Sequence, residues 1–172
     1  DAANGGGNCR FYNNLVTGST GGYRDTVSLS GNDPTQVCVN NIVINNPGDG
    51  FRVTAQQGLV LENNIAFGNG VDFVVNGGTP SATNLTTDPK LVNVGSGDFR
   101  LQPTSPAREA GYAVLQPGMR NDWYGNNRLT DIDRNGNARP DIGVHEVADV
   151  SLSVTNWGQG KSATFQATST TA

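Results

Sequence analysis

Three short segments of the chain follow one pattern: Phe11-Tyr12-Asn13-Asn14-Leu15, Cys38-Val39-Asn40-Asn41-Ile42 and Leu61-Glu62-Asn63-Asn64-Ile65. Each places an apolar residue, a variable residue, an asparagine pair and an aliphatic residue in that order. The pairs begin at Asn13, Asn40 and Asn63, so they lie 27 and then 23 residues apart. Recurrence at this length marks a solenoid, in which a single repeat cannot bury its apolar face and must stack on the next.

The surrounding residues divide each repeat into short strands. Val37-Cys38-Val39 and Leu59-Val60-Leu61 enter the asparagine turns, and Ile42-Val43-Ile44 and Ile65-Ala66-Phe67 leave them. Breaks at Asn45-Asn46-Pro47-Gly48-Asp49-Gly50 and Gly68-Asn69-Gly70 precede Phe51-Arg52-Val53 and Phe73-Val74-Val75. Each coil thus carries about three β-prone runs, and parallel strands stacked this way predict an all-β, right-handed parallel β-helix. The 23 Gly and 21 Asn among 172 residues suit a fold with many tight bends, because both tolerate left-handed backbone. Stacking of Asn14, Asn41 and Asn64 predicts a side-chain amide ladder along the coils. No sustained helical periodicity is present.

Residues 1–80 read as the coils, 81–146 as an irregular C-terminal cap over the last coil, and 147–172 as a β-hairpin or linker extension. In the cap, Asp88-Pro89-Lys90-Leu91-Val92 and Gly97-Asp98-Phe99-Arg100-Leu101 predict a strand pair around a turn. Ser105-Pro106-Ala107-Arg108-Glu109-Ala110-Gly111 predicts a short helical turn with Gly111 as its C-cap. In the extension, Val150-Ser151-Leu152-Ser153-Val154 and Ala163-Thr164-Phe165-Gln166-Ala167 alternate across a turn at Asn156–Gly160. The first coil starts within about eight residues of Asp1, too few for an N-terminal cap, so further coils or another molecule are expected at that end.

The cap motifs carry a family resemblance. Asp88-Pro89-Lys90-Leu91-Val92, Gly97-Asp98-Phe99-Arg100-Leu101, Ser105-Pro106-Ala107 with Ala110-Gly111, and Asp141-Ile142-Gly143-Val144-His145-Glu146 occur in sequence. That order resembles the C-terminal end of secreted right-handed parallel β-helix repeat proteins, a group related to polysaccharide lyases. The resemblance spans roughly residues 37–146. It implies a β-helix, a secreted or cell-surface location and an association with carbohydrate.

Several residues are candidates for chemistry. Asp131-Ile132-Asp133-Arg134-Asn135-Gly136 has the oxygen ligands and glycine of the start of a calcium loop, and Asp141 is a further candidate ligand. The glutamate expected at the twelfth position is replaced by Ile142. Asp122–Arg128 and Asp133–Arg139 repeat D-x-x-G-N-x-R, which predicts turn chemistry with an Asp–Arg pair. Cys9 and Cys38 lie on adjacent coils, either bridged in an oxidising compartment or buried as free thiols. Asn84-Leu85-Thr86 fits an N-glycosylation acceptor. Trp157, in the hairpin turn, is the candidate for stacking on a sugar, whereas Trp123 is expected to be buried in the cap.

The inventory of acids and bases is sparse. Arg52, Lys90 and His145 are the candidate lyase bases, with His145 expected to pack or hydrogen-bond instead. Asp49 and Asp72 fall at similar turns and are the candidate carboxylate pair. The chain carries a net charge of −4 and its only lysines are Lys90 and Lys161, so nucleic acid is a poor partner. No apolar run is long enough to span a membrane. With no signal peptide ahead of Asp1, the chain reads as a mature or excised product. Three functions follow: a noncatalytic extracellular scaffold or carbohydrate-binding module, a filament subunit joining copies of itself through the first coil and the hairpin, or a fragment of a polysaccharide lyase or glycoside hydrolase.

Overall fold

Each asparagine pair forms a bend between two three-residue strands. The computed structural model describes residues 10–18, 25–29, 36–54, 59–76, 79–113, 115, 118–148, 151–154 and 165–168, with the backbone alone at 25, 26, 151–154 and 165–168. The first coil supplies β1 (Arg10–Tyr12), β2 (Leu15–Thr17) and β3 (Asp25–Leu29). The second supplies β4 (Val37–Val39), β5 (Ile42–Ile44) and β6 (Asp49–Val53), and the third β7 (Val60–Glu62), β8 (Ile65–Phe67) and β9 (Val71–Val75). They pair in three parallel sheets, ordered β1-β4-β7, β2-β5-β8 and β3-β6-β9. The result is an all-β, solenoid-like stack, compatible with a parallel β-helix. Among the described residues no helix is long and apolar enough to cross a membrane.

The two asparagines of each pair divide the work. The first takes the left-handed conformation that turns the chain, with φ of 55° at Asn13, 59° at Asn40 and 52° at Asn63. The second points into the stack and forms the expected ladder. Asn14 donates through its backbone N and Nδ2 to Asn41 Oδ1 at 3.0 and 2.9 Å. Asn41 repeats this on Asn64 at 3.0 and 2.9 Å, and Asn64 on Asn84 at 3.0 Å for both bonds. Asn84 is therefore a fourth rung, and Leu85 pairs in parallel with Ile65 beyond it. A second ladder runs from Asn46 to Asn69 Oδ1 at 3.2 and 2.9 Å. It ends on Asp72 Oδ1, which accepts from Asn69 N and Nδ2 at 3.1 and 3.0 Å.

Apolar side chains fill both faces of the middle sheet. Inside the stack, Val27, Leu29, Cys38, Val43, Phe51, Val53, Leu61 and Ala66 are buried together, and Phe51 stacks on Phe73 with ring centroids 5.1 Å apart. On the outer face, Ile42, Ile44 and Ile65 pack with Leu91, Leu101, Ala107 and Ile142. All three residues of β5 are buried, as expected for a strand covered on both sides. The cap residues Leu91, Leu101, Ala107 and Ile142 thus lie along the flank of the coils, whereas the sequence predicts a cap over the last coil. Among the described residues, Thr83, Asn84 and Leu85 continue the stack at that end.

The cap's expected strand pair is present as β10 (Leu91–Asn93) and β11 (Asp98–Leu101), antiparallel and joined by a 3-10 turn at Val94–Ser96. The expected helical turn at 105–111 is corrected: turns alone form there, and Glu109 takes the left-handed conformation, with φ of 48°. Gly111 is needed for proximity instead. Its N donates to Pro140 O at 2.8 Å, and an added Cβ would lie 2.5 Å from that oxygen. The extension forms the expected antiparallel pair, β12 (Ser151–Val154) with β13 (Phe165–Thr168). Its turn, including Trp157, lies outside the described residues.

Candidate functional site

The first asparagines of each pair also hold the cap. Asn63 Nδ2 donates to Ala110 O at 2.8 Å. Asn40 Oδ1 accepts from Tyr112 N at 2.6 Å, and Asn13 Nδ2 donates to Met119 Sδ at 3.7 Å. These contacts carry the cap chain up the stack from the third coil to the first. It arrives beside Tyr12, Asn13 and Asn14, and a cleft of about 420 Å³ opens between that coil and Met119, Asn121, Trp123 and Arg128.

Trp123 is 82% exposed on this cleft, not buried as expected. Its backbone N donates to Val144 O at 3.0 Å, which fixes the chain while the indole stays in solvent. The preceding Asp122 is the anchor. Its Oδ1 accepts from Tyr124 N and Asn126 N at 2.8 Å each, and its Oδ2 from Asn126 Nδ2 at 3.0 Å and Glu146 N at 2.6 Å. The carboxylate closes a turn whose Gly125 has φ of 89°. In the second copy Asp133 Oδ1 accepts from Asn135 N at 3.1 Å, as Asp122 Oδ1 does from Tyr124 N, and Gly136 has φ of 84°. The turn chemistry is as expected, but each arginine bonds a glycine carbonyl. Arg128 Nη1 donates to Gly143 O at 3.0 Å, and Arg139 Nη2 to Gly111 O at 2.9 Å.

A buried acid cluster lies behind the cleft. Asp141 and Glu146 are fully buried. Asp141 accepts from Glu109 N at 2.6 Å and Val147 N at 2.8 Å, one bond to each oxygen. Glu146 Oε2 accepts from Asp141 N at 2.8 Å, while Oε1 has no partner. Burial pushes the Asp141 carboxyl up to about 6. Burial and the Asp141 charge push Glu146 up to about 10, so Glu146 carries a proton at neutral pH. Asp141, whose oxygens meet two N–H donors, is the better site for the charge. His145 Nδ1 accepts from Leu101 N at 3.0 Å, the packing role expected of it, and burial lowers its pKa.

The predicted calcium loop brings together a different set of acids from the one expected. Asp131 and Asp133 lie with Glu109, their carboxylate oxygens within 4.8 Å of one another. Glu109 reaches the loop through Ile132 N, which donates to its Oε1 at 3.2 Å. Asn135 is turned onto Asp133, with Nδ2 donating to Oδ2 at 2.7 Å. Asp141 is not in the group, because both of its oxygens serve the buried cluster. Sequence reasoning missed Glu109, which no local spacing connects to residue 131.

The other candidates are dispersed. Cys38 is a buried free thiol whose pKa burial pushes up to about 12; its register partner is Phe11, and Cys9 lies outside the described residues. Asn84 Nδ2, the atom a glycan would occupy, donates to Leu61 O at 2.7 Å and Ser81 O at 3.3 Å. Asp49 stands in register with Val71, not Asp72, and Arg52 pairs with Asp49. Lys90 Nζ donates to Thr104 Oγ1 at 3.3 Å on the surface. Comparison with protein-family models, curated proteins and solved structures gives no match.

Proposed function

We propose that the chain is a noncatalytic carbohydrate-binding module, built on a right-handed parallel β-helix and displayed outside the cell. The handedness follows the usual sense of parallel crossovers. The observation that carries the function is Trp123, 82% exposed on a cleft shared with Tyr12 and the amides of Asn13, Asn14 and Asn121. An exposed indole on a concave, amide-lined surface suits a sugar ring, with an apolar face for stacking and hydroxyls for the amides. Calcium belongs to this reading as a structural ion at Glu109, Asp131 and Asp133, close to the cap's own turns.

The enzyme reading has less support, because Asp49 and Asp72 are out of register and Arg52 is ion-paired. Filament growth by coil stacking is also less favoured. At the far end of the ladder Asn84 directs its N to Ser81 O at 2.9 Å, leaving no donor there for the first coil of a second copy. The test is capture of glycans from an immobilised panel by the native chain and by Trp123→Ala. Capture that depends on Trp123 is expected. Capture by neither chain would overturn the module reading.

A further inference from the structure

We propose that the cleft takes an acidic sugar, with Arg128 receiving the carboxylate or sulfate and Trp123 stacking on the ring. The inference deepens the carbohydrate reading and rests on it. Arg128 is 4% exposed and lines the cleft. Its Nη1 is fixed on Gly143 O, while Nε and Nη2 donate to no group among the described residues. Those two nitrogens are open to an incoming acceptor, and the planar fork of the guanidinium matches the oxygens of a carboxylate or sulfate.

The described residues do not supply that acceptor. Asp122, the carboxylate on the cleft wall, already accepts four hydrogen bonds from Tyr124, Asn126 and Glu146. Asp141 and Glu146 act on Arg128 only through their fields, and Glu146 is largely protonated at neutral pH. The hydroxyl-binding side is also open. Asn14 is exposed on the cleft, and its Oδ1 accepts no hydrogen bond among the described residues, since the ladder runs from Asn14 towards Asn41. The cleft volume falls within the range of about 300–1,000 Å³ usual for small-ligand sites.

The experiment titrates the chain with three tetrasaccharides: a uronic-acid oligomer, its carboxyl-reduced neutral counterpart and a sulfated oligomer. Trp157→Phe leaves Trp123 as the only tryptophan, so its fluorescence reports the cleft, and calorimetry checks the affinity. At least one acidic oligomer is expected to bind about tenfold more tightly than the neutral one, as one charge-assisted contact would give. The better of the two identifies the anion as carboxylate or sulfate. Trp123→Ala should weaken every ligand about tenfold, and Arg128→Gln should remove the acidic preference alone. Equal affinity for neutral and acidic oligomers overturns the acidic inference and leaves the carbohydrate reading standing. No binding of any oligomer overturns both, and undiminished binding to Trp123→Ala removes the ligand from this cleft. If Arg128→Gln does not fold, the acidic-to-neutral ratio on the native cleft and the Trp123 variant still decide the outcome.

Discussion

Asn41 and Asn64 are joined twice: Asn41 N and Asn41 Nδ2 both donate to Asn64 Oδ1, at 3.0 and 2.9 Å. Asn41 Oδ1 in turn accepts the same pair of bonds from Asn14. Removing Asn41 therefore leaves the Asn14 donors without their acceptor and takes the Nδ2 donor from Phe11 O and Val39 O, whereas Asn14 stands at the end of the ladder. Asn41→Ala should lower stability by about 3 kcal/mol and Asn14→Ala by about 1 kcal/mol. Denaturant midpoints measure both, and equal losses would mean that the ladder is not the reason for the burial of Asn41.

Gly143 lies against Ile42. An added Cβ would meet Ile42 Cδ1 at 2.6 Å, and φ there is +100°, a conformation costly for any L side chain. Gly143→Ala should destabilise by more than about 2 kcal/mol through overpacking and backbone strain. Adding Ile42→Val, which removes Cδ1, should restore part of that loss. No recovery in the double variant would assign the whole effect to the backbone.

Stability should decline with rising pH. Asp141 and Glu146 have folded pKa values of about 6 and about 10, above the ordinary 3.8 and 4.5. The folded state holds these protons more tightly, so their contribution is complete below the ordinary values and is lost as pH rises through the folded ones. Glu146→Gln keeps the acceptor for Asp141 N and removes the titration. It should flatten the fall in thermal midpoint between about pH 6 and 9. A native profile already flat there would contradict a protonated Glu146.

Calcium should raise the thermal midpoint by a few degrees, and Asp131→Asn or Glu109→Gln should abolish the rise. Asp141→Asn should not abolish it, since Asp141 faces the buried cluster. Loss of the response in Asp141→Asn alone would return that residue to the ligand set.

Much of the coil stack was legible because its causes are local. The asparagine pairs announce a bend and a rung in adjacent residues, and β10, β11 and the terminal hairpin follow from alternation around turns. The fourth rung was harder to read because Thr83 replaces the first asparagine of its pair. Thr83 Oγ1 accepts from Asn63 N at 3.1 Å, so Thr83-Asn84-Leu85 was a readable if degenerate echo of Asn63-Asn64-Ile65. The flank position of the cap was signalled by Ile42-Val43-Ile44, an uninterrupted apolar run that demands cover on both faces. Two parts of the site left no local trace. Glu109 joins Asp131 only through the folded path of the cap, and the exposure of Trp123 depends on how Asp122 closes its turn.

The ladders also have direction. From Asn14 to Asn84 and from Asn46 to Asn69, each rung's backbone N and Nδ2 donate to the amide oxygen of the next rung, so those amide-to-amide bonds run one way along the stack much as peptide dipoles align in a helix. In the second ladder the donor end is Asn69, and the carboxylate of Asp72 meets it. A negative charge at the positive pole of a dipole row is a favourable terminus, and it occupies the place of an incoming amide. Asp72 thus acts as a stop signal written in charge: it limits the repeat count of that ladder from within the third coil.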